Sequence, residues 1–351
     1  MTIKINMQGI FGDFYVMTFA TLAKGRRTET GVEIEDKNFV DVIRIAKEVA
    51  EVKEERRKNP KKQEPIMILP MSGNDKKPFE KVLRCLNIPT QSTISEILSK
   101  VNVDMAEKCE KVSAMSFIKP DMYEYGRVPG YEEGKNQSRK SEIKIDALYL
   151  ITSVAGWVLS RLGEASSEGS RVGVHIFPID VSQSFHNLPV LMEKVDRIPG
   201  LYPTTAFLLW LSYQMIKNGA LITDAMQIYT MSDAGGMSPA TVKEGYRVSL
   251  ERIVNRLNGK LGNDQNYLER LTSDAMSPKS ETRSFSIRVC NLLYEVIMGS
   301  KRETDLLYFA NRELYSINVT KSDESSKDLK EKNKLEVYRA ASKLAYKFAG
   351  Q

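Results

Sequence analysis

The stretch MQIYTMSDAGGMSP, residues 226–239, decides how the chain divides. Met226 to Met231 reads as a strand, and Gly235 and Gly236 punctuate the turn after it. Ser238 followed by Pro239 has the form of a helix start: a hydroxyl cap, then the residue whose missing N–H does no harm in the first turn. Strand and helix signals alternate before this point, and from Thr241 onward the pattern is almost wholly helical. The expected fold class is α+β, with a mixed α/β region over residues 1–240 and a C-terminal helical bundle over residues 241–351.

Downstream, Val242 to Leu257, Ser280 to Met298, Arg302 to Ile317 and Leu329 to Phe348 carry helical periodicity. Upstream, Ile3 to Gln8 alternates as a half-buried strand and leads through Gly9 and Gly12 into a helix over Phe14 to Ala23. Phe39, Val42, Ile43, Ala46 and Val49 predict an amphipathic helix that ends before Pro60, with the charged run Lys53 to Lys62 as its exposed end. Ile66 to Leu69, between two prolines, is short enough for a buried strand. Helices follow over Pro78 to Leu86 and Thr93 to Cys109, the second capped by Ser92 or Thr93 with Glu96 as the back-bonding partner. Ile145 to Leu162 is an apolar helix, Gly163 to Gly169 a turn, and Arg171 to Asp180 a strand. A further helix starts at Pro203 and stops at Gly219.

Length and composition narrow the class. A chain of 351 residues exceeds what one core comfortably fills, so two lobes are expected. With 42% hydrophobic and 27% charged residues it has the balance of a folded soluble protein. Ala147 to Leu162 falls short of the about 18 apolar residues a membrane span needs and is broken by Thr152, Ser153 and Ser160. The opening Met1 to Ile5 has no signal-peptide character, so a cytoplasmic protein without a membrane partner is expected.

Cys85, Cys109 and Cys290 form no Cys-x-x-Cys motif and are expected as reduced thiols. His175 and His186 lack a paired acidic or cysteine motif, so neither a metal nor another cofactor is expected. No serine sits in a G-x-S-x-G elbow, and pairs such as Glu132-Glu133 or Asp323-Glu324 are not placed across a cleft. No catalytic residue is assigned.

The formal charge of +6 is moderate, so its placement matters more than its size. Between Lys119 and Lys144 the pattern breaks, and Arg127, Lys135, Arg139 and Lys140 are interleaved with Tyr123, Tyr125 and Tyr131. Such interleaving suits a nucleic-acid contact and equally a solvated loop whose tyrosines pack on the body. Arg252, Arg256 and Lys260 recur every fourth residue, a stripe that can track phosphates or face solvent. Lys24, Arg26 and Arg27 form a smaller basic loop near the N-terminal strand. At the turn, Gly235, Gly236 and Ser238 offer backbone N–H groups to an anion, although neither G-x-x-x-x-G-K-S/T nor G-x-G-x-x-G is present. An ordinary capped turn remains the alternative.

In layout the chain resembles the large subunit of the archaeal type I-A CRISPR interference complex, Cascade. The resemblance rests on size, on Phe11-Gly12-Asp13-Phe14-Tyr15 after an opening strand, on Pro199-Gly200-Leu201-Tyr202-Pro203 and Ile228-Tyr229-Thr230-Met231-Ser232-Asp233 in the middle, and on the helical C-terminus. It implies a non-catalytic nucleic-acid-binding subunit that works with guide RNA and the other Cascade subunits. Its tasks would be to recognise a short motif beside the double-stranded target DNA, help open the duplex, and contact the displaced strand through the helical bundle, while a separate protein cleaves. Two other functions fit the residues: an enzyme holding a phosphorylated substrate at residues 232–239, with Asp233 essential, and a nucleoprotein that coats RNA.

Overall fold

The computed structural model describes residues 2–57, 68–120, 143–167, 170–195, 197–200, 204–235, 238–261, 265–319 and 329–350. In chain order the elements are β1 (Thr2–Asn6), α1 (Gly12–Leu22), β2 (Arg26–Arg27), β3 (Gly31–Glu35), α2 (Asp36–Arg56), α3 (Gly73–Cys85), α4 (Ile94–Ser99), α5 (Val103–Ala106), β4 (Val112–Ser113) and β5 (Lys144–Ile145). They continue with α6 (Ala147–Ser160), β6 (Arg161–Ser167), β7 (Ser170–Pro178), α7 (Leu188–Lys194), α8 (Thr204–Lys217), β8 (Met226–Ser232), β9 (Thr241–Val248), α9 (Glu251–Leu261), α10 (Gln265–Met276), α11 (Arg283–Met298), α12 (Glu303–Val319) and α13 (Leu329–Ala349). The fold is α+β, with small sheets and a helical C-terminal region.

Contacts divide the chain into two compact units. The first comprises Met1–Glu164, Ser170–Asp196 and Asp224–Val248; the second comprises Ala165–Gly169, Arg197–Thr223 and Ser249–Gln351. In the first unit β1, β3 and β2 form an antiparallel sheet in that order, with Ile3 facing Ile34 and Ile5 facing Val32. Ile3 and Ile5 are buried while Thr2, Lys4 and Asn6 are exposed, the alternation expected of a sheet covered on one face. A four-stranded sheet has the order β6-β7-β8-β9, with β7–β8 and β8–β9 antiparallel.

At the centre of the first unit is α6, buried on every side. A helix without a polar face must be covered all round, which accounts for the long apolar run that begins after the Asp146 cap. It packs against α1 so closely that a Cβ on Gly156 would lie 2.0 Å from the Tyr15 carbonyl oxygen. Phe11, Phe14, Phe177 and Tyr229 form an aromatic cluster beside this contact.

Two adjacent residues of α2 close the ends of two other helices. Buried Lys53 donates from Nζ to the carbonyls of Val158 (3.1 Å) and Arg161 (2.5 Å), at the C-terminal end of α6. Buried Glu54 accepts from the N–H groups of Ile94 (2.7 Å) and Ser95 (3.3 Å), at the start of α4. Each charge has the sign the helix dipole favours at its position. The expected exposed helix end thus begins at Glu55, two residues after Lys53.

Several sequence expectations hold: the opening strand, the helix after Gly9, the long amphipathic helix, and the stop at Gly219, whose φ of +64° is the left-handed conformation glycine favours. Thr93 and Glu96 form the reciprocal cap, with Thr93 N–H donating to the Glu96 carboxylate at 3.1 Å. Others need correction. Thr93 to Cys109 is two short helices, α4 and α5, because the first ends at Lys100 and Asn102 caps the second. Residues 161–167 are strand β6, where the helix was expected to run on to Leu162 and a turn to follow from Gly163. Ile68 and Leu69 are buried but not in a strand, and Ile66 and Met67 lie outside the described residues.

Val242 to Val248 is strand, and the helix expected to start there begins at Glu251. Cys85 and Cys109 are not reduced thiols: the chain folds back after α5, bringing their Cα atoms to 6.0 Å, and they are joined by a disulfide. Cys290 is a buried free thiol whose pKa burial pushes up to about 12. Among the described residues no helix is long and apolar enough to cross a membrane.

Candidate nucleic-acid interface

The turn after β8 does not lead into a helix. Gly235 and Ser238 form an antiparallel bridge, each N–H donating to the other's carbonyl (3.0 and 2.9 Å), and the chain continues into β9 as a hairpin. The expected helix start at Ser238-Pro239 is therefore corrected. The N–H groups of Gly235 and Ser238 are used within the hairpin, and no helix dipole adds to them. Gly236 lies outside the described residues.

Asp233, at the start of this turn, is held by Arg161. The Arg161 side chain is 2% exposed and donates to both Asp233 carboxylate oxygens (2.8 and 2.6 Å) and to Glu164 (2.9 Å), which also accepts from Arg57 (2.6 Å). Gly173 leaves room for this guanidinium, since a Cβ there would lie 2.3 Å from Arg161 Nη1. Burial opposes the charge on Arg161, but the Asp233 and Glu164 carboxylates more than offset it, and the guanidinium pKa is held above its ordinary value. His175 packs beside it, with Nδ1 3.3 Å from the Ser160 hydroxyl. Burial first, then the charges of Arg161 and Lys53, push its pKa well below the usual histidine value. This is a closed ionic network that ties β6 to the loop after β8.

Of the described basic residues named from sequence as candidate contacts, three belong to the first unit and three to the second. Arg127, Lys135, Arg139 and Lys140 lie outside the described residues. Lys24, Arg26 and Arg27 are exposed in the first unit, but Arg26 and Arg27 form edge strand β2 where a loop was expected. Lys24 has φ +51°, turning the chain from α1 into that strand. Arg26 and Lys4 flank Glu33 (3.9 and 3.0 Å), which reduces the net positive field of the row.

In the second unit, Arg252, Arg256 and Lys260 do share the edge of α9, but each meets a helix end. Arg256 donates to Glu303 in the first turn of α12 (2.6 Å), and Lys260 to the Phe348 carbonyl near the end of α13 (3.4 Å). Arg252 Nη2 lies 3.2 Å from where a Cβ on Gly299, the left-handed C-cap of α11, would stand. Two of the three cations thus complement the C-terminal dipoles of neighbouring helices, which gives the stripe a structural task.

A different cationic surface, not singled out from sequence, lies on α12 and α13 of the same unit. Tyr308, Arg312 and Tyr315 recur at i, i+4 and i+7 and share one side of α12. Tyr308 and Tyr315 are each 70% exposed. On α13, Arg339, Lys343 and Lys347 recur every fourth residue and are exposed, with Tyr346 beside them at 57%. Asn311 joins the two rows: it accepts from the Ser342 hydroxyl (2.6 Å) and its amide lies 3.4 Å from the Tyr346 hydroxyl. Lys343 lies 5.0 Å above the Tyr267 ring and donates to its hydroxyl (3.0 Å). Exposed phenol rings among cations offer stacking faces for unpaired bases and charges for phosphates. The spacing of Arg339, Lys343 and Lys347 was visible in the sequence; the exposure of the tyrosines was not.

Among the described residues no group of three or more His, Cys, Asp or Glu side chains is gathered where it could hold a metal ion. No curated protein matches the chain. A family profile, CRISPR-associated protein CsaX, matches residues 32–314, which takes in the first unit from β3 onward and the second through most of α12. With that match spanning most of its length, the chain belongs to the CsaX family of CRISPR-associated proteins.

Proposed function

We propose that this CsaX-family protein is a non-catalytic, nucleic-acid-binding subunit of a cytoplasmic CRISPR interference complex of the Cascade type. In this reading it fills the large-subunit role, working with guide RNA and other Cascade subunits in recognising double-stranded target DNA and opening the duplex. The observation that carries the reading is the face built from Tyr308, Arg312 and Tyr315 on α12 and Arg339, Lys343 and Tyr346 on α13. Opening a duplex releases unpaired bases, and exposed tyrosines flanked by cations hold such bases without reading their sequence. The reading assigns no chemical step to the protein, and Asp233, the residue an enzyme at the 232–239 turn would need, has both carboxylate oxygens engaged by Arg161.

The test is direct binding of the full-length protein to labelled single-stranded DNA, single-stranded RNA and duplex DNA over a range of salt concentrations. The expected result is affinity that falls as salt rises, because phosphate contacts release counterions. Absence of binding to all three, or binding independent of salt, would remove the reading. A polymer with a fixed number of nucleotides per protein would replace it with an RNA-coating role.

A further inference from the structure

Helix α3 of the first unit carries Lys76, Lys77, Lys81 and Arg84 exposed, with Glu80 the acidic side chain among them. Lys77, Lys81 and Arg84 fall at i, i+4 and i+7 and, with Glu80, rim a shallow open depression. Lys81 contacts Glu110 (2.6 Å) and Arg84 contacts Glu80 (3.2 Å). These are exposed pairs, weak in water and readily exchanged for a stronger anion.

The helix is held at both ends. Near its start, Asp75 is buried and accepts from Ser72 N–H (2.8 Å), the Ser72 hydroxyl (2.7 Å) and Ser116 N–H (2.8 Å). At its last residue the Cys85–Cys109 disulfide ties it to the segment after α5. A cationic row fixed in this way loses little freedom on binding.

The chemistry of the face selects its occupant. The exposed large apolar side chains among the described residues are Val40, Val190, Leu221, Tyr308, Tyr315 and Tyr346, and none is on α3. A protein partner would need an aromatic or aliphatic anchor at the centre of the contact, and an unpaired base would need a ring to stack on. A row of cations alone suits phosphates. From Lys77 to Arg84 the helix rises about 10 Å, a span over which a duplex presents several charges at about one per 1.7 Å of its axis.

We infer that the Lys77–Lys81–Arg84 face of α3 is a contact for the sugar-phosphate backbone of double-stranded nucleic acid. This rests on the nucleic-acid-binding reading above and adds a division of labour to it: α3 takes paired strands, and the α12–α13 face takes unpaired ones.

The test compares the full-length protein with the triple variant Lys77→Gln, Lys81→Gln, Arg84→Gln. Glutamine keeps helix propensity, and an unchanged circular dichroism melt establishes that each chain is folded. A triple variant that fails to fold would show that these side chains serve the fold, and would overturn the assignment. Duplex affinity at low salt is expected to drop at least about tenfold, with the log–log salt slope shallower by about 2 to 3, as three lost phosphate contacts require. Single-strand affinity is expected to stay within about twofold of the parent. Unchanged duplex affinity and slope would overturn the inference while leaving the broader reading intact. Equal losses on duplex and single strand would overturn the division of labour. A parent protein that binds neither would remove both.

Discussion

Arg161 grips Asp233 through both terminal nitrogens, at 2.8 and 2.6 Å, across 72 residues of sequence. The pair ties a half-buried loop carboxylate to a buried guanidinium of the first unit. Removing Asp233 leaves a buried guanidinium that still donates to the Glu164 carboxylate. Asp233→Ala is therefore expected to destabilise the fold by about 3 kcal/mol, the lower end for a broken buried ion pair because Glu164 remains. Urea unfolding measures this. Nucleic-acid affinity below the unfolding transition should be unchanged, and an Asp233→Ala protein of parental stability would contradict the structural role.

His175 makes stability depend on pH. Its folded pKa lies well below the usual value near 6.5, so the unfolded chain takes up the proton first as pH falls. The neutral, buried form thus contributes stability that is fully present above the unfolded pKa. That stability is lost as pH drops from there toward the folded pKa, at up to about 1.4 kcal/mol per pH unit. Unfolding free energies between pH 8 and 5 should show this decline, and His175→Gln should flatten it. An identical decline in the variant would assign the effect to other groups.

The Cys85–Cys109 disulfide closes a separation of 24 residues between α3 and the segment after α5. Cross-linking a loop of that size is expected to stabilise the fold by about 3 kcal/mol through the unfolded state. Melts of the parent with and without a thiol reductant, beside Cys85→Ser, measure it. The reduced parent and the variant should melt together, below the oxidised parent. Equal melting temperatures for all three would show that the link contributes nothing.

How much of this was legible in the sequence depends on the physical signal each feature leaves. The opening strand and α2 follow from periods of two and 3.6 residues, and the Thr93/Glu96 cap from residue types at fixed spacing. Strand β9 was read as helix because Tyr246 and Leu250 stand four residues apart, where both periods bring an apolar residue to the same side. The burial of Lys53 and Glu54 depends on α4 and α6, helices that a local charge pattern cannot foresee. The disulfide joins cysteines whose spacing names no partner.

For the interface, charge periodicity picked α9 and passed over α13, since both have cations every fourth residue. The contacts separate them: the α9 cations meet ends of neighbouring helices, whereas the α13 cations stand beside an exposed tyrosine. A tyrosine at helical spacing is more often core than surface, so Tyr308, Tyr315 and Tyr346 gave no signal until burial was known.

The central claim, that the α12–α13 face holds unpaired nucleic acid by stacking, is tested most directly with Tyr308→Ala, Tyr315→Ala and Tyr346→Ala combined. The measurement is the Kd for a single-stranded oligonucleotide across a salt series. Stacking is expected to contribute about 1 to 3 kcal/mol per base, so the variant should bind at least about tenfold more weakly while the salt slope, set by phosphate contacts, is retained. A variant that binds single strands as tightly as the parent would contradict the account.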